Sequence, residues 1–193
     1  MMRIITGTAR GTQLVSPTGE ETRPTSERAK EATFSSLASY IPGRKVLDLF
    51  AGSGQLSLEA LSRGAESAVM LDVSNESIRA IQQNIVKTHM EAKATLLQTD
   101  CRSYLRSIRN KGPIFDLVFI DPPFALHLVP ELLGLLAECG VLSDDAILVC
   151  ESEESDILHS QSGSQQVALD TLYKVRRQAR YAKAYVTILE KGK

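Results

Sequence analysis

The chain has 193 residues, 43% of them hydrophobic, and a formal net charge of −1. That length suits one well-buried core and is too short for two full domains. A near-zero net charge excludes a polycation, so any affinity for nucleic acid has to come from local clustering of basic residues. At the N-terminus, Ile4-Ile5 is cut short by Thr6 and Gly7, unlike the long apolar stretch of a secretion signal. No apolar run approaches the ~18 residues of a membrane span. The three cysteines, Cys101, Cys139 and Cys150, show no C-x-x-C spacing. Neither a disulfide framework nor a zinc or other metal site is expected, and a reducing cytoplasm is.

Residues 1–24 read as an extension. Short β-prone pieces, Arg3–Thr6 and Thr12–Val15, together with the turn residues Pro17, Thr18 and Gly19, suggest a hairpin. Thr25 then caps a helix in which Ala29, Thr33, Leu37 and Tyr40 recur at helical spacing, and Pro42 and Gly43 end it. From residue 45 the pattern alternates. Strands are predicted at Lys45–Phe50, Ser67–Asp72, Ala94–Gln98, Phe115–Asp121 and Ala146–Cys150. Helices are predicted at Ser57–Arg63, Ser74–His89 (Ile78, Ile81, Ile85 and His89 on one face), Arg102–Arg109 and Pro130–Glu138. Residues 159–165 read as a loop. Val167–Arg176 and Lys183–Glu190 read as a closing antiparallel hairpin. The expectation is one α/β domain over 1–193: a Rossmann-like, mostly parallel seven-stranded sheet with helices on both faces, led by the helix at 25 and preceded by the 1–24 extension.

Two motifs carry chemistry. Asp48-Leu49-Phe50-Ala51-Gly52-Ser53-Gly54 closes a strand and opens a helix. Glycines there let backbone approach a ligand, and the helix start offers N–H groups. A dinucleotide fingerprint wants a third glycine, where this chain has Ser57. Asp72 and Asp100 follow the next two strands. Acidic strand ends suit a cofactor with a ribose and a base amino group but no pyrophosphate, and S-adenosylmethionine is such a molecule. Phe50, Ala51, Gly52, Ser53 and Gly54, with Asp48, Asp72 and its neighbour Val73, and Asp100 and its neighbour Cys101, form the candidate cofactor set. Asp100 is equally placed to cap the helix after it.

The second motif, Asp121-Pro122-Pro123-Phe124, sits at the carboxyl end of a strand, where open α/β sheets bind ligands. An exocyclic amino group delocalises its lone pair into the ring and is a poor nucleophile. A carboxylate and a carbonyl held by prolines would accept both its hydrogens and aim the lone pair at an electrophile. Phe124 offers a face on which a flipped base stacks. A plain tight turn is the other reading of these four residues.

These segments resemble a known family. Asp48 to Gly54 is similar to motif I of class I methyltransferases, and Asp121 to Phe124 to the amino-methyltransferase motif. Arg3-Ile4-Ile5, Arg10-Gly11, Thr22-Arg23-Pro24-Thr25 with Arg28, Val46 to Gly54, Leu58 to Ala65 and Phe119 to Phe124 together resemble the bacterial 16S ribosomal RNA guanine-N2 methyltransferases. The resemblance implies S-adenosylmethionine as cofactor, a guanine N2 amino group as acceptor, and 16S ribosomal RNA as partner, presented within the small subunit or an assembly particle. Basic residues near the two ends, Arg10 and Arg23 on one side and Arg176, Arg177 and Arg180 on the other, are the candidate RNA contacts. Arg23 serves a helix start equally well. The alternatives are a DNA adenine or protein glutamine methyltransferase, a non-catalytic assembly factor, and an NAD(P) oxidoreductase. The last is disfavoured by Ser57 and by the lack of a hydride-transfer constellation.

Overall fold

The computed structural model describes residues 2–17, 27–159 and 168–192. The expected turn residues Thr18 and Gly19, Arg23, the expected helix cap Thr25, most of the 159–165 loop and Val167 lie outside the described residues. The chain divides into two compact units, Met1–Asp100 and Cys101–Lys193. The strand order is β3-β2-β1-β4-β5-β7-β6 in a seven-stranded sheet. This is the Rossmann-like α/β architecture expected from the alternation. No helix among the described residues is long and apolar enough to cross a membrane.

The first unit contains α1 (Glu27–Ser36), β1 (Lys45–Asp48), α2 (Gln55–Ser62), β2 (Ser67–Asp72), α3 (Asn75–Thr88) and β3 (Ala94–Gln98). β1 pairs with β2, and β2 with β3, all parallel. Val46, Leu47, Ala68, Met70 and Leu71 supply the buried strand positions. Every residue of α2 is buried, Gln55, Ser57, Glu59 and Ser62 included. An ordinary covering helix turns a polar face to water; here residues 2–15 lie along that face. The N-terminal segment turns at Gly7–Gly11, where both glycines have positive φ (90° and 84°). Its pairing is one antiparallel bridge, Arg3 with Gln13. α1 ends at Ser36, and tight turns carry the chain through Tyr40. In α3 the buried face is Ser77, Ala80, Ile81, Asn84, Ile85 and Thr88. Ile78 is only partly covered, and His89 is an exposed left-handed cap rather than a face residue (φ 57°).

The second unit contains α4 (Cys101–Ser107), β4 (Phe115–Ile120), α5 (Val129–Cys139), β5 (Leu142–Ser152), α6 (Leu169–Leu172), β6 (Tyr173–Tyr181) and β7 (Ala184–Lys191). β4 and β5 are parallel, and β7 runs antiparallel between β5 and β6. β5 starts four residues earlier than expected. Its register to β4 jumps from Phe115–Leu142 to Leu117–Ile147, so the exposed Asp144 and Asp145 bulge outward between two buried stretches. The closing hairpin is present, but a short helix occupies Leu169–Leu172, where a strand was expected. Tyr173 is buried, and its hydroxyl donates to the Leu133 carbonyl at 2.8 Å. Burial pushes that phenol well above its ordinary titration range.

Candidate functional site

In the first unit, β1 delivers the glycine loop. Gly52 and Gly54 both have positive φ (57° and 76°), which an L side chain rarely adopts. A Cβ on Gly52 would meet nothing within 4 Å, so the backbone there faces open space. A Cβ on Gly54 would touch Ile81, Leu58 and Met70 at 3.4 Å, because this residue is wedged between α2, α3 and β2. Gly54 opens α2 and has no side chain with which to cap it. The loop is cross-linked to the end of β2: Gly52 N–H donates to Asp72 Oδ2 at 2.8 Å, and Ala51 N–H to the Leu71 carbonyl at 2.9 Å. Asp72 Oδ1 accepts from Ser74 N–H at 2.9 Å. Ser57 also has a structural role: buried in α2, it donates its hydroxyl to Asp48 Oδ2 at 2.9 Å.

The candidate cofactor residues therefore fall into two groups. Phe50, Gly52, Asp72, Val73 and Asp100 are accessible, Val73 being 66% exposed. Asp48, Ala51, Ser53 and Gly54 are buried, as is Cys101 at the start of the second unit. Asp100 lies two residues beyond the end of β3 and immediately before α4. Thr99 N–H donates to the Asp72 carbonyl at 3.1 Å, which holds the ends of β2 and β3 together.

Sequence reasoning missed the anchor of the N-terminal segment. Glu59, 0% exposed, accepts from Ile5 N–H (2.7 Å), Thr6 N–H (3.0 Å) and Arg63 Nε (2.8 Å). Lys30, also buried, stands 3.7 Å from the same carboxylate and donates to the Arg3 carbonyl at 2.6 Å. Desolvation holds its pKa below the usual lysine value despite Glu59. Gly7 packs so close to α2 that a Cβ would fall 1.8 Å from the Ser62 carbonyl oxygen. The Leu58-Glu59-Ala60-Leu61 string was visible as part of a resemblance. Nothing in its periodicity separated a buried glutamate from a solvated one.

In the second unit, Asp121 and Phe124 are partly accessible, Pro122 is buried and Pro123 is exposed. Phe124–Leu126 forms a single 3-10 turn. The Pro123 carbonyl accepts from Leu126 N–H at 3.0 Å, so it points into that turn. The narrow crevice beside Pro122 and Phe124 is walled by His127, Leu128, the end of β5 (Glu151 and Ser152) and the two residues after it, Glu153 and Glu154. His127 Nδ1 lies 2.7 Å from Glu154 Oε1 and ties the turn to the segment that follows β5. Glu151, Glu153 and Glu154 thus stand beside the tetrapeptide. Among the described residues, no group of three or more His, Cys, Asp or Glu could hold a metal.

The basic candidates are exposed. Arg10 sits in the Gly7–Gly11 turn. β6 is exposed along nearly its whole length. Arg176, at a register shift, pairs with Glu190 at 3.3 Å. Arg180 stacks over Tyr185 at 5.5 Å.

The strand order, the glycine loop cross-linked to the acidic end of β2 and the tetrapeptide after β4 define a class I methyltransferase fold. The family model described as conserved hypothetical protein 95 matches residues 2–179, and the chain belongs to that family. Ribosomal RNA small subunit methyltransferase D of Escherichia coli is 38% identical over 152 residues, covering 79% of this chain and 75% of that protein. A solved structure of an Escherichia coli methyltransferase has a TM-score of 0.82 at 32% identity, covering 98% of this chain and 97% of that one. A methyltransferase solved with S-adenosylhomocysteine shares the fold at a TM-score of 0.66 and 16% identity, covering 83% of this chain and 49% of that one.

Proposed function

We propose that this protein transfers a methyl group from S-adenosylmethionine to the N2 amino nitrogen of a guanine in 16S ribosomal RNA, within the small subunit or an assembly intermediate, in the cytoplasm. Support for the cofactor lies in the first unit. The open approach to Gly52 and the accessible Asp72 fit a nucleoside. Each Asp72 oxygen accepts one backbone N–H and has lone-pair capacity left for a ribose hydroxyl. Asp100 is assigned the adenine amino group. When bound, the cofactor supplies an electrophilic methyl, so positioning the acceptor suffices without a strong base.

Asp121 and the Pro122 carbonyl accept the two amino hydrogens, and Phe124 stacks on the base. Arg10, Arg23, Arg176, Arg177 and Arg180 are assigned to phosphates. The observation that favours guanine over adenine is the acidic stretch beside the tetrapeptide. Glu151, Glu153 and Glu154 give it acceptors and negative charge. Guanine presents donors at both N1 and N2, whereas adenine pairs its amino group with an acceptor at N1. A run of carboxylates suits the first edge and repels the second.

The test is transfer of labelled methyl to small-subunit particles, naked ribosomal RNA, duplex DNA and glutamine peptides, followed by nucleoside mass spectrometry. N2-methylguanosine in ribosomal RNA is expected, together with loss of one such nucleoside in cells lacking the protein. Methyladenine, or label only in peptide, refutes the reading.

A further inference from the structure

Asn84 lies on the buried face of α3, 0% exposed. Its Nδ2 donates to the Ser53 carbonyl at 2.8 Å and to the Val15 carbonyl at 2.9 Å, and its Oδ1 accepts from Val15 N–H at 2.7 Å. Both amide hydrogens and one acceptor position are used. The exchange with Val15 is the reciprocal pairing that one strand makes with another, performed by a side chain. The opposite amide orientation would face an N–H with an N–H, so the network dictates which way the group points. Ser53 belongs to the glycine loop, and its hydroxyl donates to Met2 Sδ at 2.9 Å. The loop is thus gripped on one side by Asp72 and on the other by the N-terminal segment, directly through Met2 and indirectly through Asn84. That segment is itself locked to α2 through Glu59 and Ser62.

We infer that Asn84 is the positioning residue through which the backbone of the docked N-terminal segment sets the glycine loop of the cofactor site. The inference rests on the cofactor reading above. A loop held in one conformation binds with less ordering entropy to offset. Coupling of this kind is reciprocal: whatever seats the segment tightens cofactor binding, and bound cofactor tightens the segment. Arg10 stands in the turn of the same segment, so a phosphate contact there raises cofactor affinity.

The test separates the segment from the loop. Asn84→Ala should raise the Kd for S-adenosylhomocysteine about tenfold or more, the scale of losing buried hydrogen bonds. The effect should fall on the KM for cofactor rather than on kcat at saturation. Val15→Pro removes the N–H that donates to Asn84 Oδ1 and puts a ring carbon in its place, so the segment can no longer pair with Asn84; Val15→Ala keeps both backbone groups. Val15→Pro should weaken cofactor binding and speed hydrogen exchange at residues 51–54 in the ligand-free protein, and Val15→Ala should do neither. If Asn84→Ala fails to fold, the Val15 pair still decides. A Val15→Pro protein indistinguishable from Val15→Ala in both Kd and loop exchange overturns the inference. Wild-type protein that fails to bind S-adenosylhomocysteine overturns the cofactor reading instead, and the exchange comparison still reports on the coupling without any ligand.

Discussion

Asp72 is the sharpest point at which to perturb the first unit, because one carboxylate has two jobs. It holds the loop through Gly52 N–H at 2.8 Å and the start of α3 through Ser74 N–H at 2.9 Å. Its remaining acceptor capacity is what a ribose would use. Asp72→Ala removes both backbone acceptors. The site is half-exposed, so water takes over part of the loss, and the stability cost should be about 2 kcal/mol, toward the lower end for two charge-assisted bonds. Cofactor affinity should fall further, since the ribose bond and the loop geometry go together: about 2–4 kcal/mol, or roughly 30- to 1,000-fold in Kd. Asp72→Asn discriminates between charge and geometry. An amide has one acceptor oxygen, so it serves Gly52 or Ser74 and turns an NH2 toward the other. It should lose nearly as much affinity as alanine despite its matching shape. Calorimetry with S-adenosylhomocysteine gives the affinity, and guanidinium unfolding gives the stability. An Asp72→Asn protein with wild-type Kd would remove Asp72 from the cofactor site.

Glu59→Ala should cost about 3–5 kcal/mol in urea unfolding, because it strands the buried Lys30 ammonium. With Lys30 already held below 10.5 by burial, the unfolded chain binds more protons over the interval up to that value, so the variant's stability should rise with pH there; a flat profile refutes the buried charge. Asp121→Ala should lower kcat about 10²-fold with little change in cofactor Kd, and near-normal turnover would reduce the tetrapeptide to a turn. Arg177→Glu should raise the KM for RNA and flatten its salt dependence without touching cofactor affinity; an unmoved salt slope makes β6 ordinary surface. The Asp156 carboxylate raises the His159 pKa above 6.5, first by hydrogen bond and then by charge. The pair's contribution holds between the lowered Asp156 pKa and the raised His159 pKa and is lost as pH rises through the latter, and Asp156→Asn should return the NMR titration toward the ordinary value.

Much of the fold is legible in the sequence because strands buried on both faces leave long apolar runs. Val46-Leu47, Val69-Met70-Leu71 and Leu117 to Ile120 are bounded by residues that cannot continue them. Errors cluster where a local rule competes with a long-range partner. The Pro17-Thr18-Gly19 stretch reads as a turn, and Thr18 and Gly19 lie outside the described residues; no local signal marked Gly7 as the residue that passes within contact distance of Ser62. His89 kept helical spacing with Ile81 and Ile85, yet it adopts a left-handed cap that no hydrophobic period registers. Val167–Arg176 was read as one strand because its composition is β-prone, and the turn at Leu169–Leu172 is too short to leave a period of its own.

What the sequence by itself determined is the inventory: the alternation of elements, the glycine loop, and a rigid tetrapeptide at a strand end. These depend on backbone constraints and neighbour spacing, which are local properties of the chain. What only the tertiary structure decided is which polar residues are buried and whom they hold. Glu59, Asn84 and Ser62 sit on helices whose sequences would read equally well with those side chains in water. Their partners, Ile5, Thr6, Ala9 and Val15, lie 53 to 69 residues away. A buried carboxylate or amide must find such partners to offset its lost hydration, and separations of that size are set by the fold rather than by any local pattern.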